Sequence, residues 1–262
     1  MESFGLRRDG WNRMALQKDR LDRVLVARGL ADSREQAQRL VLAGAVRIND
    51  HRADKPGRVV PVDVPLEVIY GPRFVSRGGE KLDAALAHWP VPVEGTVCID
   101  LGASTGGFTD CLLQRGATRV YAIDVGYGQL DWKLRQDPRV VVMERVNARH
   151  LEPSDLPEPA GLMTADLSFI SLEYVLVAGL RLLQRPCWMV VLIKPQFEAG
   201  REKVGKGGVV RDPLVHQEVV DRVNGFVLGV LGAAWSDVIP SPLLGPAGNR
   251  EFLLAARWDG SD

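Results

Sequence analysis

The run Thr96-Val-Cys-Ile-Asp-Leu-Gly-Ala-Ser-Thr-Gly-Gly-Phe108 constrains the fold more than any other stretch of this chain. An apolar, β-branched segment meets a turn with glycines at 102, 106 and 107, and an amphipathic stretch follows at once. A strand that runs through such a turn into a helix reaches a parallel neighbour only by crossing back over the sheet. The same rhythm recurs, with strands legible at Thr96 to Leu101, Val120 to Val125, Val140 to Met143, Leu162 to Ala165 and Trp188 to Ile193, and helical stretches between them. This alternation predicts a doubly wound, Rossmann-like parallel α/β sheet. The last two strands, Trp235 to Ile239 and Phe252 to Trp258, are joined by a turn-rich segment with no helix. They predict a C-terminal antiparallel hairpin closing the sheet.

Glycines 102, 106 and 107 let the backbone approach a ligand, and the helix after them offers its first N–H groups. Asp124 ends the second strand, where a carboxylate accepts both ribose hydroxyls of an adenosine. Asp100, the turn and Asp124 together point to an adenosine cofactor and leave NAD and S-adenosylmethionine both open. The spelling DLGASTGGF lacks the regular glycine spacing of the dinucleotide fingerprint. It resembles the loop of S-adenosylmethionine-dependent methyltransferases, whose sheets also end in a hairpin. That resemblance implies S-adenosylmethionine held around Gly102, Ala103, Ser104, Thr105, Gly106, Gly107 and Phe108. It places Asp100 near the methionine end, Asp124 on the ribose and Asn147 near the adenine; on residues alone, Asn147 equally reads as the cap of a turn.

Ahead of this domain the composition changes. The chain has 33 Lys+Arg and 33 Asp+Glu, yet the excess is positive up to Arg73 and negative after it. A basic appendage on an acidic domain suits a polyanion partner, because Lys and Arg gain affinity by releasing phosphate counterions. Residues 1–18 show no period and are expected to be a disordered extension. Leu21, Val24 and Leu25 then predict a short helix ending at Gly29. Ser33 with Gln36 spells a capping box for a second helix, with Ala37, Leu40 and Val41 as its buried stripe and Gly44 as its stop. Strands follow around Val46 to Ile48, Arg58 to Val60 and Leu66 to Tyr70, with a turn at Asn49-Asp50. The run RLDRVLVARGLADSREQAQRLVLAGAVRIND resembles the S-four-type RNA-binding domain, a small α+β module. The resemblance implies that Arg20, Arg28, Arg34, Arg39 and Arg47 face structured RNA. A helical-hairpin module for protein partners is the alternative. The domain is expected over 19–70, a linker over 71–80 and the sheet domain over 81–262.

In an open parallel sheet the ligand crevice lies outside the carboxyl ends of the strands, so polar residues that terminate apolar strands single themselves out. Asp166 ends one such strand and Lys194 another, just before Pro195 stops it. The last strand runs the other way, so its beginning, Gly248-Asn-Arg-Glu-Phe252, falls at the same edge and brings Glu251 with it. Lys81 heads a helix that buries Leu82, Ala85, Leu86 and Trp89; alone it reads as a solvated helix lysine. The order Lys81, Asp166, Lys194, Glu251 resembles the Lys-Asp-Lys-Glu tetrad of the FtsJ-like ribose 2′-O-methyltransferases. With the blocks SRGGEKL, DLGASTGGFTDCLL, ADLSFISL, LIKPQFEAGR and GNREFL, residues 20–258 resemble the TlyA family, also called hemolysin A. One departure is the linker, where some members carry Arg-x-Trp-Val and this chain reads Arg73-Phe-Val-Ser76.

The resemblance implies methyl transfer from S-adenosylmethionine to a ribose 2′-hydroxyl, of cytidine, in small- or large-subunit rRNA, with no metal. Lys194 is then the group that orients or deprotonates the hydroxyl. As a general base it must be neutral, which a neighbouring ammonium such as Lys81 would favour and Asp166 and Glu251 would oppose. Arg77, and Arg201, Lys203 and Lys206 in the glycine-rich segment Phe197 to Val210, are expected to meet the RNA backbone, the segment closing over it as a mobile loop; a merely disordered loop is the other reading. Gly78 and Gly79 suggest a hinge that lets RNA docking place Lys81. Alternatives from other classes are a catalytically silent cofactor- and RNA-binding assembly protein and, from the hemolysin label, a pore former. No apolar run reaches the roughly 18 residues of a membrane span, and neither the three cysteines nor the four histidines are spaced like a disulfide framework or a metal site. The expectation is a cytoplasmic monomer or weak dimer, with ribosomal subunits rather than membranes as its partner.

Overall fold

The computed structural model describes residues 17–69 and 71–260. The chain divides into two compact units between Gly71 and Pro72.

The first unit contains β1 (Lys18–Arg20), α1 (Leu21–Ala27), α2 (Arg34–Leu42), β2 (Val46–Ile48), β3 (His51–Arg52), β4 (Val59–Pro61) and β5 (Leu66–Val68). Up to position 16 the expected extension lies outside the described residues, as does Tyr70; Lys18 is corrected, since it opens β1 and pairs with Pro61. Strands β3, β2 and β5 form one antiparallel sheet and β1 with β4 another. Ser33 caps α2 by accepting the Gln36 N–H, while the Gln36 amide oxygen reaches back to the N–H of Asp32 rather than Ser33. The core is the stripe read from the sequence, Leu21, Val24, Leu25, Ala37 and Val41, closed by Val46, Ile48 and Val60. Buried among them is Asp22, which the sequence did not single out.

In the second unit, α3 (Gly78–His88) precedes β6 (Val97–Leu101), α4 (Gly107–Gln114), β7 (Arg119–Asp124), α5 (Trp132–Arg135), β8 (Val140–Glu144) and β9 (Ala160–Ala165). There follow α6 (Glu173–Leu180), β10 (Leu183–Ile193), α7 (Pro195–Glu198), α8 (Pro213–Gly229), β11 (Trp235–Pro240) and β12 (Phe252–Trp258). The sheet order is β11-β12-β10-β9-β6-β7-β8, and β12 alone runs against the rest. The closing hairpin therefore folds back, so that its second strand inserts beside β10 and its first becomes the edge.

Both faces of this sheet are covered, which is why its strands read as unbroken apolar runs. Ile99, Leu101, Met163, Val191 and Leu254 pack with α6 and α8 on one face. Cys98, Leu162, Val190 and Leu253 pack with Leu82, Leu86, Phe108 and Leu112 of α3 and α4 on the other. Helix α3 begins at Gly78, so the last residues of the expected linker belong to its first turn. A side chain at Gly79 would collide with the ring of Phe74, and one at Gly107 would collide with Ser76 Oγ and the Gly79 backbone. These glycines bring α3 against α4. Gly79 is thus a packing position inside a helix, which corrects its half of the hinge expectation, while Gly78, the first residue of α3, has only ordinary contact with Phe108 and Ser76.

Candidate active site

The strand order reverses between β6 and β9, and a crevice opens there at the carboxyl ends of the strands. Gly102 follows β6, Asp166 follows β9 and Lys194 follows β10. The pairing of Ile193 with Phe252 sets Glu251 at the same edge. One cleft of about 490 Å³ is lined by all four residues of the expected tetrad together with Gly102, Ala103, Ser104, Thr105, Gly107 and Phe108.

Within it the tetrad forms two ion pairs. Lys81 Nζ donates to Glu251 Oε2 at 2.5 Å, with the lysine side chain 8% exposed and the carboxylate fully buried. Lys194 Nζ lies 2.5 Å from Asp166 Oδ1, and it donates to Ser168 Oγ at 3.1 Å. Lys81 is thus no solvated helix lysine. Its helix reaches the site because Leu82, Ala85 and Leu86 are buried against the sheet, and the residue before them inherits the edge. Gly245 holds the other side: a Cβ there would strike Glu251 Oε1, an oxygen that is buried with no hydrogen-bond partner.

A second cavity of about 310 Å³ shares Gly102, Ser104, Asp166 and Ser168 with the first and adds Ile123, Asp124, Val146, Asn147, Phe169 and Ile170. Gly102 joins the two. Its φ is +78°, and a Cβ would come within 2.6 Å of the Asp166 carbonyl oxygen, so only a bare backbone fits. Asp124 accepts the N–H groups of Ser104 at 2.8 Å and Gly126 at 2.6 Å. An ionised carboxylate has about four lone-pair sites, which leaves two for a ligand's hydroxyls. Asn147 accepts the Arg149 N–H at 3.1 Å as the cap of a 3-10 turn, and it also lines this cavity.

Two members of the expected cofactor set line neither cavity. Gly106, at φ +96°, caps α4 and packs on Leu130 and Leu134. Asp100 is fully buried beneath α4, where it accepts Thr109 Oγ1 at 2.7 Å and Thr164 Oγ1 at 3.1 Å. The reason is the pleat: Asp100 alternates with Ile99 and Leu101, so its side chain points to the α4 face rather than out of the strand end. Burial pushes its carboxyl up to about 6, against the pull of the two hydroxyls.

The expected RNA-facing residues separate as well. Arg28 and Arg47 line one shallow hollow of the first unit with Asn49, Asp50 and Glu67, and Arg39 is exposed on α2. Arg20 and Arg34 turn inward instead: Arg20 donates to both oxygens of Asp22, and Arg34 Nε and Gln38 Nε2 each reach Asp22 Oδ2 at 3.0 Å. In the second unit Arg77 lines the cleft and donates to the Leu244 carbonyl at 2.5 Å. Arg201, Lys203 and Lys206 are all exposed, and Lys203 is held by both oxygens of Glu218. The glycine-rich segment is anchored rather than loose. Buried Asn249 accepts the Val210 N–H at 3.0 Å and donates to the Gly208 carbonyl at 2.9 Å, while His216 bonds the Val210 carbonyl.

Sequence reasoning missed Ser168, Phe169 and Asn249. The first two lie in the block ADLSFISL, from which only the strand-end acid was taken. A serine two positions beyond that acid, in a segment returning past the same edge, was an available signal; the partners of Asn249 lie too far along the chain to be read.

A parallel sheet closed by an inserted antiparallel strand, with a glycine turn at its switch point and paired lysines and carboxylates beside it, defines a methyltransferase of the Rossmann-like class. Residues 74–258 match the FtsJ-like methyltransferase family and residues 19–64 the S4 domain. The chain belongs to the FtsJ-like methyltransferase family and carries an N-terminal S4 domain. It is 49% identical to the 16S/23S rRNA (cytidine-2′-O)-methyltransferase TlyA of Mycobacterium tuberculosis, over 92% of this chain and 90% of that protein. It is 38% identical to Hemolysin A of Brachyspira hyodysenteriae, over 89% and 98%. A solved structure from Streptococcus thermophilus bearing a hemolysin name superimposes with a TM-score of 0.69 at 44% identity, over 94% of this chain and 90% of that one. Among the described residues no helix is long and apolar enough to cross a membrane.

Proposed function

We propose that the chain methylates the ribose 2′-hydroxyl of a cytidine in ribosomal RNA, with S-adenosylmethionine as the donor. The observation that carries this reading is the convergence of the Lys81–Glu251 and Lys194–Asp166 pairs on one cleft floored by the Gly102 turn. The names of the relatives support the substrate class, and a ribosomal substrate makes the cytoplasm the place of work.

The donor fits the cavity pair. Gly102 offers bare backbone beside it, Asp124 has lone pairs left for ribose hydroxyls, and Ile123, Val146 and Ile170 give an apolar lining suited to an adenine. Bound S-adenosylmethionine supplies a methyl group on a positively charged sulfur. This chain's residues supply placement and a destination for the proton. Lys194, fixed by Asp166 and Ser168, would hold O2′ for in-line attack; as O2′ bonds to the methyl carbon, that carbon's bond to sulfur would break with its electron pair going to sulfur, and the hydroxyl proton would pass to the Lys194–Asp166 pair. Lys81 and Glu251 form the opposite wall.

The test is transfer of tritiated methyl groups to ribosomal subunits from a strain lacking the protein, followed by nuclease digestion. Label should appear as 2′-O-methylcytidine. Label on a base nitrogen, or on neither subunit, overturns the reading, and a thermal midpoint raised by NAD but not by S-adenosylmethionine overturns the cofactor. Lys194→Ala should slow single-turnover transfer by about 10²–10⁴-fold.

A further inference from the structure

Glu198 is a buried carboxylate with no part in the chemistry described above. It ends α7, the short helix that Lys194 opens, and its side chain is 2% exposed. Its two oxygens reach across to the segment between β9 and α6. Oε1 accepts the Leu172 N–H and Oε2 the Ser171 hydroxyl, each at 2.8 Å. Arg222 of α8 donates to Oε2 and to the Glu198 carbonyl, each at 2.9 Å, and pairs with Glu173 as well.

The segment that Glu198 holds at Ser171 and Leu172 is held at its other end by the Asp166 N–H, which donates to the Leu101 carbonyl at 3.0 Å. Between these anchors Ser168 accepts from Lys194 Nζ at 3.1 Å, and Phe169 has φ +64°. The left-handed region disfavours a bulky side chain, so the segment keeps this shape only where its surroundings over-determine it. The Phe169 ring against that of Phe197, with centroids 4.9 Å apart, is one such constraint, and the two bonds to Glu198 are others. The contacts close on themselves. The Phe197 N–H returns to the Lys194 carbonyl at 2.9 Å, α7 ends in Glu198, and the segment fixed by Glu198 carries Ser168 back to Lys194.

We propose that Glu198 is a positioning residue for methyl transfer. By fixing the 166–172 segment to α7 it sets Ser168 against Lys194 Nζ, and so the direction in which Lys194 addresses O2′. The inference rests on the reading of Lys194 as the group that holds the hydroxyl. Glu198 lines neither cavity, so it acts through Ser168. A purely structural acid would cap the start of α6 and pair with Arg222, and nothing more. Glu198→Gln separates the two roles. The amide oxygen can still accept the Leu172 N–H and the amide nitrogen can donate to Ser171 Oγ, but no charge is left for Arg222.

The experiment reads single-turnover methyl transfer by the full chain at saturating S-adenosylmethionine and rRNA, together with the thermal midpoint of each variant. Glu198→Ala should slow the step about tenfold or more with KM for RNA unchanged. Glu198→Gln should restore most of the rate, although its thermal midpoint falls with that of Glu198→Ala. Ser168→Ala should slow the step too, and the double variant Glu198→Ala, Ser168→Ala should be no slower than the slower single, because both changes remove the same restraint. Rates that follow the thermal midpoint across the variants, or losses that multiply in the double variant, overturn the proposal. Hydrogen exchange needs no substrate: residues 166–172 should lose protection in Glu198→Ala and keep it in Glu198→Gln, and unchanged protection in Glu198→Ala overturns the proposal as well. Wild-type protein that transfers no methyl group to RNA overturns instead the reading on which it rests.

Discussion

Asp22 in the first unit and Asp100 in the second are both fully buried, and they are held in opposite ways. Asp22 takes hydrogen bonds from Arg20, Arg34 and Gln38, and these, the Arg20 bond foremost, hold its carboxyl well below the usual carboxylate range. Asp100 has two threonine hydroxyls and no cation, and burial pushes it up to about 6. Depth alone therefore does not decide whether a buried acid is charged; the partners do. The first unit answers its acid with arginines whose outer ends stay in water. The second places Lys81 and Lys194 in the cleft, each with a carboxylate, and leaves the acid under the cofactor turn to hydroxyl groups.

Removing one member of a cleft pair should break this division most sharply. Glu251→Ala strands the Lys81 ammonium, 8% exposed, with no counter-ion. The expected loss is about 3–5 kcal/mol in urea unfolding. Adding Lys81→Met should recover most of that stability without recovering methylation. If the single variant is as stable as wild type, the pair is not the buried charge its geometry implies.

Asp100→Asn sharpens the comparison through pH. The folded value of about 6 exceeds the unfolded one near 3.8, so the folded chain binds more proton between those values and loses stability as pH rises through that window. At pH 8 the asparagine variant should be more stable than wild type by as much as about 3 kcal/mol, and at pH 3.5 the two should coincide. Thermal unfolding across the range reads this directly. Asp22 has the opposite sign, its stabilisation present above pH ~4 and lost as pH falls further. Asp22→Ala should cost about 2 kcal/mol at neutral pH, less than the cleft pair because Arg20 and Arg34 can turn to solvent. Hydrogen exchange within residues 21–42 should report it, with the sheet core unchanged.

Much of this was legible beforehand because it follows from local pattern. Apolar runs ending in Asp166 and Lys194 fix a strand end, and the glycine turn at 102 fixes where the chain turns back; both depend only on neighbours in sequence. Asp166, Lys194 and Glu251 were legible as strand termini at one edge, whereas Lys81, which alone reads as a solvated helix lysine, joined them only through the resemblance to the FtsJ-like tetrad. The division into two pairs was not legible, since Lys81 and Glu251 are 170 residues apart and choose each other by packing. The burial of Asp100 was hidden for a related reason. With both faces of the sheet covered, apolar and polar residues do not alternate along β6, so nothing in the run reveals which way residue 100 points. Asp22 reads as an acid in the first turn of a helix, where helix-dipole reasoning already accounts for it, and that local account conceals the long-range one.

The same division should separate the arginines of the first unit, with the smallest effect of all. Arg47 is exposed in the hollow it shares with Arg28, whereas Arg34 is drawn to Asp22. If the exposed arginines serve RNA, Arg47→Ala should weaken binding to rRNA fragments by about 1 kcal/mol or less and flatten the dependence of log K on log salt by about 0.7–0.9, the loss of one phosphate contact. Arg34→Ala should leave that slope nearly unchanged and instead lower the stability of α1 and α2 by about 1 kcal/mol. A salt slope that changes equally in both variants would mean that the guanidinium of Arg34 meets RNA while it holds Asp22. The arginines would then not divide between fold and ligand, and the contrast with the second unit would rest on the cleft lysines alone.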